Sequence, residues 1–241
     1  MSVPVPHTAM VLAAGLGTRM RPLTDELPKP LIAVAGKRLI DRMLDPLVAA
    51  GVKRAIVNVH YLPEQVEAHL AARTDLEIVI SDERGAVLET GGALAKARPL
   101  LGDDPIFVIN TDAFWAPESG APLIALADAF DPERADALLM VADTGRCLGF
   151  DGAGDFFLGD DHRMVRRGDA TSAPWAYAGA RIIRPQLYDA EPVERFSALR
   201  VWDRLIAERR LMGWPLDRFW LHVGDPGALK DAEMWLRCHG E

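Results

Sequence analysis

Residues 12–22 read L-A-A-G-L-G-T-R-M-R-P, and Lys29 follows between two prolines, Pro28 and Pro30. The apolar run 9–14 stops at Gly15 and Gly17, with Thr18, Arg19 and Arg21 just beyond. This pattern predicts a buried strand whose C-terminal turn exposes backbone N–H groups beside fixed positive charge. Glycine permits the close approach and unusual dihedrals of a phosphate cradle. Arginine brings planar, charge-assisted donors matched to phosphate oxygens. The stretch therefore points to a nucleoside triphosphate bound near residue 20. A dinucleotide fingerprint would want a third glycine where Met20 stands, and a Walker A loop would want Gly-Lys-Ser/Thr where Thr18-Arg19 stands. Read alone, the stretch also fits a plain glycine turn with surface arginines.

Outward from this turn, strand and helix patterns alternate. Residues 9–13, 55–59, 77–80 and 106–109 read as short apolar strands; 39–50, 64–73 and 90–101 read as helices, two of them closed by Gly51 and Gly102. Near-continuous apolar strands in repeated β-α-β units predict a parallel sheet with helices on both faces. The expected class is α/β: a Rossmann-like three-layer α/β/α sandwich around a mainly parallel mixed sheet. The second half is less regular. Strands are expected at 136–142, 175–183 and 219–223, a hairpin within 151–167, an amphipathic helix over 197–210 and a closing helix over 226–237. A single domain over 1–241 is the simplest division. Its nucleotide half would run to about 144 and its acceptor half from about 145, with a small elaboration from about 145 to 215.

The 241 residues suit one α/β domain, and 49% apolar residues can fill its core. No apolar stretch is long enough to span a bilayer, and the first residues lack the charged and apolar regions of a secretory signal. Cys147 and Cys238 lie far apart and form no C-x-x-C pair, which fits a reducing cytoplasm. A net charge of −8 argues against nucleic acid or an anionic membrane as partner. Anionic substrates must then meet local positive charge, which Arg19, Arg21 and Lys29 supply.

Residues 13–19 and the later P-K-P stand in the order and separation of the sugar-1-phosphate nucleotidylyltransferase signature, A-A-G-x-G-T-R then P-K-P. The chain resembles that family over nearly its whole length, most strongly in the first half. Its flavour is that of the short bacterial enzymes that uridylylate N-acetylmuramate 1-phosphate in cell-wall sugar recycling, as monomers or homodimers. Mannose-1-phosphate guanylyltransferase and glucose-1-phosphate thymidylyltransferase are the rival readings within the family. A nucleotide-sensing protein of the same fold is the rival outside it.

The resemblance implies an NTP, with UTP favoured, and a sugar 1-phosphate as substrates, with Mg²⁺ as cofactor. It implies that Leu12, Ala13, Ala14, Gly15, Gly17, Thr18 and Arg19 wrap the triphosphate and that Lys29, stiffened by its prolines, meets charge on the α-phosphate. Asp112, in N-T-D after the 106–109 strand, would hold Mg²⁺ through oxygen, although a plain helix cap is the other reading. The L-E-T-G-G-A stretch at 88–93 would close over base and ribose, with Glu83, Glu89, Thr90 and Gly91 as contacts. Asn110, Asp155, Tyr177 and Gly179 would face the acceptor sugar. In W-L-H-V-G-D, residues 220–225, the family's second metal aspartate is replaced by His222, and Asp225 follows three residues later. Asp225, His222 or neither then completes the metal site. The catalytic set expected is Arg19, Lys29 and Asp112.

Overall fold

The structure is a computed structural model that describes residues 4–240. In chain order, β1 (Thr8–Leu12) is followed by β2 (Ala33–Val34), β3 (Lys37–Arg38), α1 (Leu39–Ala50), β4 (Arg54–Val59), α2 (Pro63–Leu70), β5 (Glu77–Asp82), α3 (Glu89–Leu101) and β6 (Ile106–Asn110). The second half holds β7 (Ala113–Ala116), α4 (Ala121–Ala129), β8 (Ala137–Asp143), β9 (Cys147–Leu148), β10 (Phe156–Leu158), β11 (Met164–Arg166) and β12 (Trp175–Ile183). It closes with α5 (Leu199–Ala207), β13 (Leu211–Pro215), β14 (Phe219–His222) and α6 (Pro226–His239).

The main sheet runs β5-β4-β1-β6-β12-β8-β13, and within this row only β12 opposes its neighbours. The expected mainly parallel mixed sheet is therefore present, with helices on both sides. Alternation along the strands divides the core in two. Ala9, Val11, Ala55, Val57, Phe107 and Ile109 face one cluster, beneath α1, α2, α4 and α6. Met10, Ile56, Ile106 and Val108 face the other, beneath α3 and α5. A strand buried on both faces has no position left for a polar residue, which is why these segments read as unbroken apolar runs.

Two features of the sheet shape what sits above it. First, β1 pairs in parallel with both β4 and β6, so that Leu12 lies opposite Asn58 on one side and Asn110 on the other. Second, β12 outgrows β6: residues 180–183 pair with β6, while Trp175 pairs with Phe156 of the β10–β11 hairpin. A register break between Tyr177 and Arg181 spans Gly179, whose φ of 89° is available to glycine and rarely to other residues. β12 thus carries the expected hairpin as a side wall. β7, β14 and β9 form a separate three-stranded sheet.

Several elements differ from their sequence patterns. The 64–73 helix stops at Leu70, and the 197–210 helix spans only Leu199–Ala207. β13, L-M-G-W-P, lacks a strand signature because of its Gly and Pro. It tolerates both because it is an edge strand paired with β8 alone in the main row. Among the described residues no helix is long and apolar enough to cross a membrane.

Helix α5 seals the second cluster through Val201, Trp202 and Leu205, the last wholly buried. Leu205→Ala should lower unfolding free energy by about 2–5 kcal/mol, since a buried leucine leaves both a lost transfer term and a cavity. Equilibrium urea denaturation measures it.

Candidate active site

The parallel register of β4, β1 and β6 brings three strand ends to one edge, and a cleft of about 240 Å³ opens there. Its walls hold Leu12, Ala13, Ala14 and Gly15 from the first turn, Lys29, and Asn110 to Asp112 from the end of β6. Glu83, Glu89 and Thr90 close the far side.

The turn is built around Gly17, which has φ 63°. A side chain there would strain the backbone and meet Thr24 Cγ2 at 2.9 Å and Lys29 Cβ at 3.1 Å. The missing side chain lets the Pro28–Pro30 segment pack against the turn, and the Thr24 hydroxyl donates to the Gly17 carbonyl at 2.8 Å. Gly15 has a different role: a Cβ built on it meets nothing within 4 Å, so its backbone lies open to the cleft. Thr18 and Arg19 form a short 3-10 turn outside the cleft wall, and both are exposed. Arg19 reaches the loop after β14, where its Nη1 lies 3.4 Å from the Cβ position of Gly224.

Lys29 Nζ donates to Asp112 Oδ2 at 3.0 Å, joining the Pro28–Pro30 segment to the end of β6. The Lys29 side chain is 12% exposed and that of Asp112 29%. Burial opposes ionisation of Asp112, but the Lys29 charge, the His222 ring and the Lys29 hydrogen bond outweigh it and hold the carboxyl below its usual range. His222 Nε2 stands 3.9 Å from the same Oδ2. The ring's other nitrogen, Nδ1, is 3.0 Å from the Gly149 carbonyl, which can only accept. Nδ1 therefore carries a proton; in the protonated ring Nε2 adds the charge that lowers Asp112, whereas in the neutral ring Nε2 is an acceptor facing the carboxylate. Two acceptors facing each other in this way suit a cation held between them, one contact oxygen and one nitrogen. Asp225 differs: its Oδ1 accepts from Gly227 N at 2.8 Å and Ala228 N at 3.0 Å and caps α6. Among the described residues no group of three His, Cys, Asp or Glu side chains is arranged to hold a metal. Any cation here would complete its shell with water or ligand oxygens.

A second cavity of about 290 Å³ adjoins the first and shares Thr90 and Asn110 with it. Asp155, Phe156, Arg166, Tyr177, Arg181 and Trp202 also line it. Asp155 Oδ2 accepts from Tyr177 N at 2.9 Å, fixing the hairpin to β12. Asn110 Oδ1 is buried and has no protein partner, at the junction of the two cavities.

Residues 8–150 match the nucleotidyl transferase family. The chain is 52% identical to N-acetylmuramate alpha-1-phosphate uridylyltransferase of Caulobacter vibrioides, over 96% of this chain and 97% of that protein. The chain belongs to the nucleotidyl transferase family. It is also 34% identical to the Neisseria meningitidis protein of the same name, over 93% of this chain and 96% of that one. Among solved structures, the inositol-1-phosphate CTP transferase of T. maritima has the same fold, with a TM-score of 0.78 at 17% identity over 97% of this chain and 96% of that one.

On this nucleotidyl transferase scaffold, one residue expected at the site lies behind the cleft wall, and two that line it also make structural contacts. Gly91 is buried: its N–H donates to the Phe196 carbonyl at 2.9 Å, and a Cβ would lie 2.3 Å from the Phe196 ring. Its role is close packing of α3 against the 194–196 segment, which leaves its N–H engaged within the protein. Thr90 does not cap its own helix; its Oγ1 accepts from Ala198 N at 2.9 Å at the start of α5. Glu89 enters α3 at φ 58° and pairs with Arg195 at 2.7 Å. Sequence reasoning also missed Asn58. Only 3% exposed, it accepts from Ala13 N at 2.7 Å and donates to Glu83 Oε1 at 2.9 Å. Its signal was an amide in the otherwise apolar A-I-V-N-V. Burial pushes the Glu83 carboxyl above its usual range despite the Asn58 bond.

Two expectations follow. Asp225→Ala should cost about 1 kcal/mol of stability and Asp225→Ser should restore most of it, as a helix cap requires; urea midpoints at constant slope distinguish them. For Asp112 the folded pKa lies below the unfolded one, so its ion pair stabilises above the ordinary value of about 3.9 and that stability is lost as pH falls through the folded value. The stability advantage of wild type over Asp112→Asn should therefore shrink between pH 7 and pH 3. A constant or growing difference would contradict the pairing.

Proposed function

We propose that the protein transfers a uridylyl group from UTP to N-acetylmuramate α-1-phosphate, giving the UDP-sugar and pyrophosphate. The observation that carries this reading is the meeting of two cavities at Asn110, beside the Lys29–Asp112 pair. One cavity suits a nucleotide and the other an acceptor, and the reacting groups would meet between them. The base and sugar are those in the names of the two relatives that span almost the whole chain. In this reading residues up to about 144 hold the nucleotide and the remainder the acceptor.

The chemistry needs no covalent enzyme intermediate and no general base, since a sugar phosphate is already ionised at neutral pH. One of its oxygens bonds to the α-phosphorus as the bond to the α,β-bridging oxygen breaks, and pyrophosphate leaves with the electron pair. The obstacle is repulsion between two anions, so the protein's work is positioning and charge compensation. Lys29 meets charge on the α-phosphate. Arg19, exposed at the rim, meets the outer phosphates. The open backbone at Gly15 lets phosphate approach, and Asn110 Oδ1 accepts from an acceptor hydroxyl or amide. Glu83, buried behind Asn58, offers its carboxyl to a base N–H.

Asp112 and His222 would hold a divalent cation, Mg²⁺ by the oxygen preference of the phosphates that share it. When bound, the cation supplies charge neutralisation at the phosphates. Asp225 caps α6 through Oδ1, so its Oδ2 is the oxygen that would join Asp112 at the cation. A cytoplasmic setting fits, because UTP is made there and the product re-enters wall-sugar recycling.

Pyrophosphate release should appear with UTP and N-acetylmuramate 1-phosphate and be at least about 100-fold weaker with GTP and mannose 1-phosphate. Asp112→Asn should lower Mg²⁺-dependent kcat by at least about 100-fold with the fold intact by circular dichroism. Near-wild-type turnover in that variant removes Asp112 from the mechanism; nucleotide binding without turnover of any sugar phosphate removes the enzyme reading.

A further inference from the structure

Arg181 is 1% exposed, at the floor of the second cavity. Its Nη1 donates to the Tyr177 hydroxyl at 2.6 Å, and its guanidinium lies 5.3 Å from the Trp202 ring and 5.5 Å from the Tyr177 ring. Nε and Nη2 have no protein partner. Among the described residues no carboxylate forms an ion pair with it; Asp155, the acidic residue in the same wall, is engaged with Tyr177 N. A guanidinium keeps its proton in proteins and presents its donors in a fixed fork. A buried, unpaired charge is strongly unfavourable unless an opposite charge meets it. The remaining basic group of the cavity, Arg166, is tied to Asp203 at 2.8 Å at the rim, so it adds positive potential without blocking the floor. Burial pushes the Tyr177 hydroxyl up in pKa even against the Arg181 charge, so its proton is kept and remains available to donate.

We propose that Arg181, with the Tyr177 hydroxyl, binds a second anionic group of the acceptor, its carboxylate, and so selects a carboxylated sugar 1-phosphate over a neutral one. This rests on the uridylyl-transfer reading above, and it gives that reading a residue for its substrate class. N-acetylmuramate differs from N-acetylglucosamine by an ether-linked lactic acid, so the charged group that separates the two is one carboxylate. The alternative anion at Arg181 is the acceptor's own phosphate, which the experiment below separates from a carboxylate; the register places only the Arg181 backbone away from the strand ends. Arg181 pairs with Val108, two residues before Asn110 on β6, which sets its backbone about 7 Å further down the sheet at the usual rise per residue. The reacting phosphate must stay at the other end, beside Lys29 and Asp112. A forked donor set away from the reacting centre reads a substituent of the sugar, and a carboxylate matches two parallel N–H groups.

The test compares N-acetylmuramate 1-phosphate with its lactamide analogue, which replaces the carboxylate by a carboxamide of nearly the same shape. With saturating UTP, wild-type kcat/KM should favour the acid by at least about 100-fold, because the amide leaves Arg181 unpaired. In Arg181→Gln that ratio should collapse to within about tenfold, the loss falling on the acid. Equal kcat/KM for acid and amide in wild type overturns the proposal, and this arm stands even where the variant fails to fold. Parallel loss on both substrates in Arg181→Gln also overturns it, since a phosphate contact or a packing role moves both alike. Turnover of another sugar phosphate but not of N-acetylmuramate 1-phosphate instead defeats the underlying reading, and the proposal with it.

Discussion

The parallel pairing of β1 with β4 and β6 is the constraint on which the site depends. Leu12 stands opposite Asn58 and Asn110 at once, so a glycine turn, an amide bridge and the N-T-D segment emerge together at one sheet edge. Antiparallel neighbours would send one of those ends to the opposite edge. Parallel pairing requires long crossovers, and α1, α2 and α3 supply them while burying both faces. The polar edge is tolerable because its groups satisfy one another. Asn58 bridges the Ala13 amide to Glu83, and Thr111 donates to the Leu12 carbonyl at 3.2 Å.

Charge is distributed against the chain's overall sign. The molecule carries a net −8, yet Lys29, Arg19, Arg166 and Arg181 gather around two adjoining cavities. Lys29 and Asp112 compensate each other's charge through a direct 3.0 Å contact at the cleft wall. Arg181 is the exception, a buried cation with two idle donor nitrogens. Such an arrangement sacrifices stability in the protein alone and is sustained where a ligand supplies the missing charge.

The glycines illustrate how a motif divides its labour once folded. Gly17 is required by its own backbone and by the approach of Lys29, whereas Gly15 leaves room for a ligand. Gly91 and Gly92 belong to a stretch expected from sequence to close over base and ribose, and they seat α3 under the 194–196 segment; a Cβ on Gly92 would fall 1.9 Å from the Glu194 carbonyl oxygen. Asp225, a candidate metal ligand in the sequence, also caps α6 through Oδ1. In each case the sequence marks a residue that must be small or acidic, and the neighbours decide why.

The apolar runs alternating with helical patterns were enough to determine the α/β class and the parallel core strands, and the A-A-G-L-G-T-R turn marked where a cleft opens after β1. These are local properties: periodicity, glycine placement and proline stiffness act within a few residues. What the linear order could not express is contact between residues far apart. The Lys29–Asp112 pair joins positions 83 residues apart, and the Asn58–Glu83 contact depends on a register that only the assembled sheet defines. Arg181 in particular reads as an isolated charge inside an apolar strand, W-A-Y-A-G-A-R-I-I. Only the outgrowth of β12 past β6, with the hairpin and α5 closing around it, turns that charge into the floor of a binding cavity.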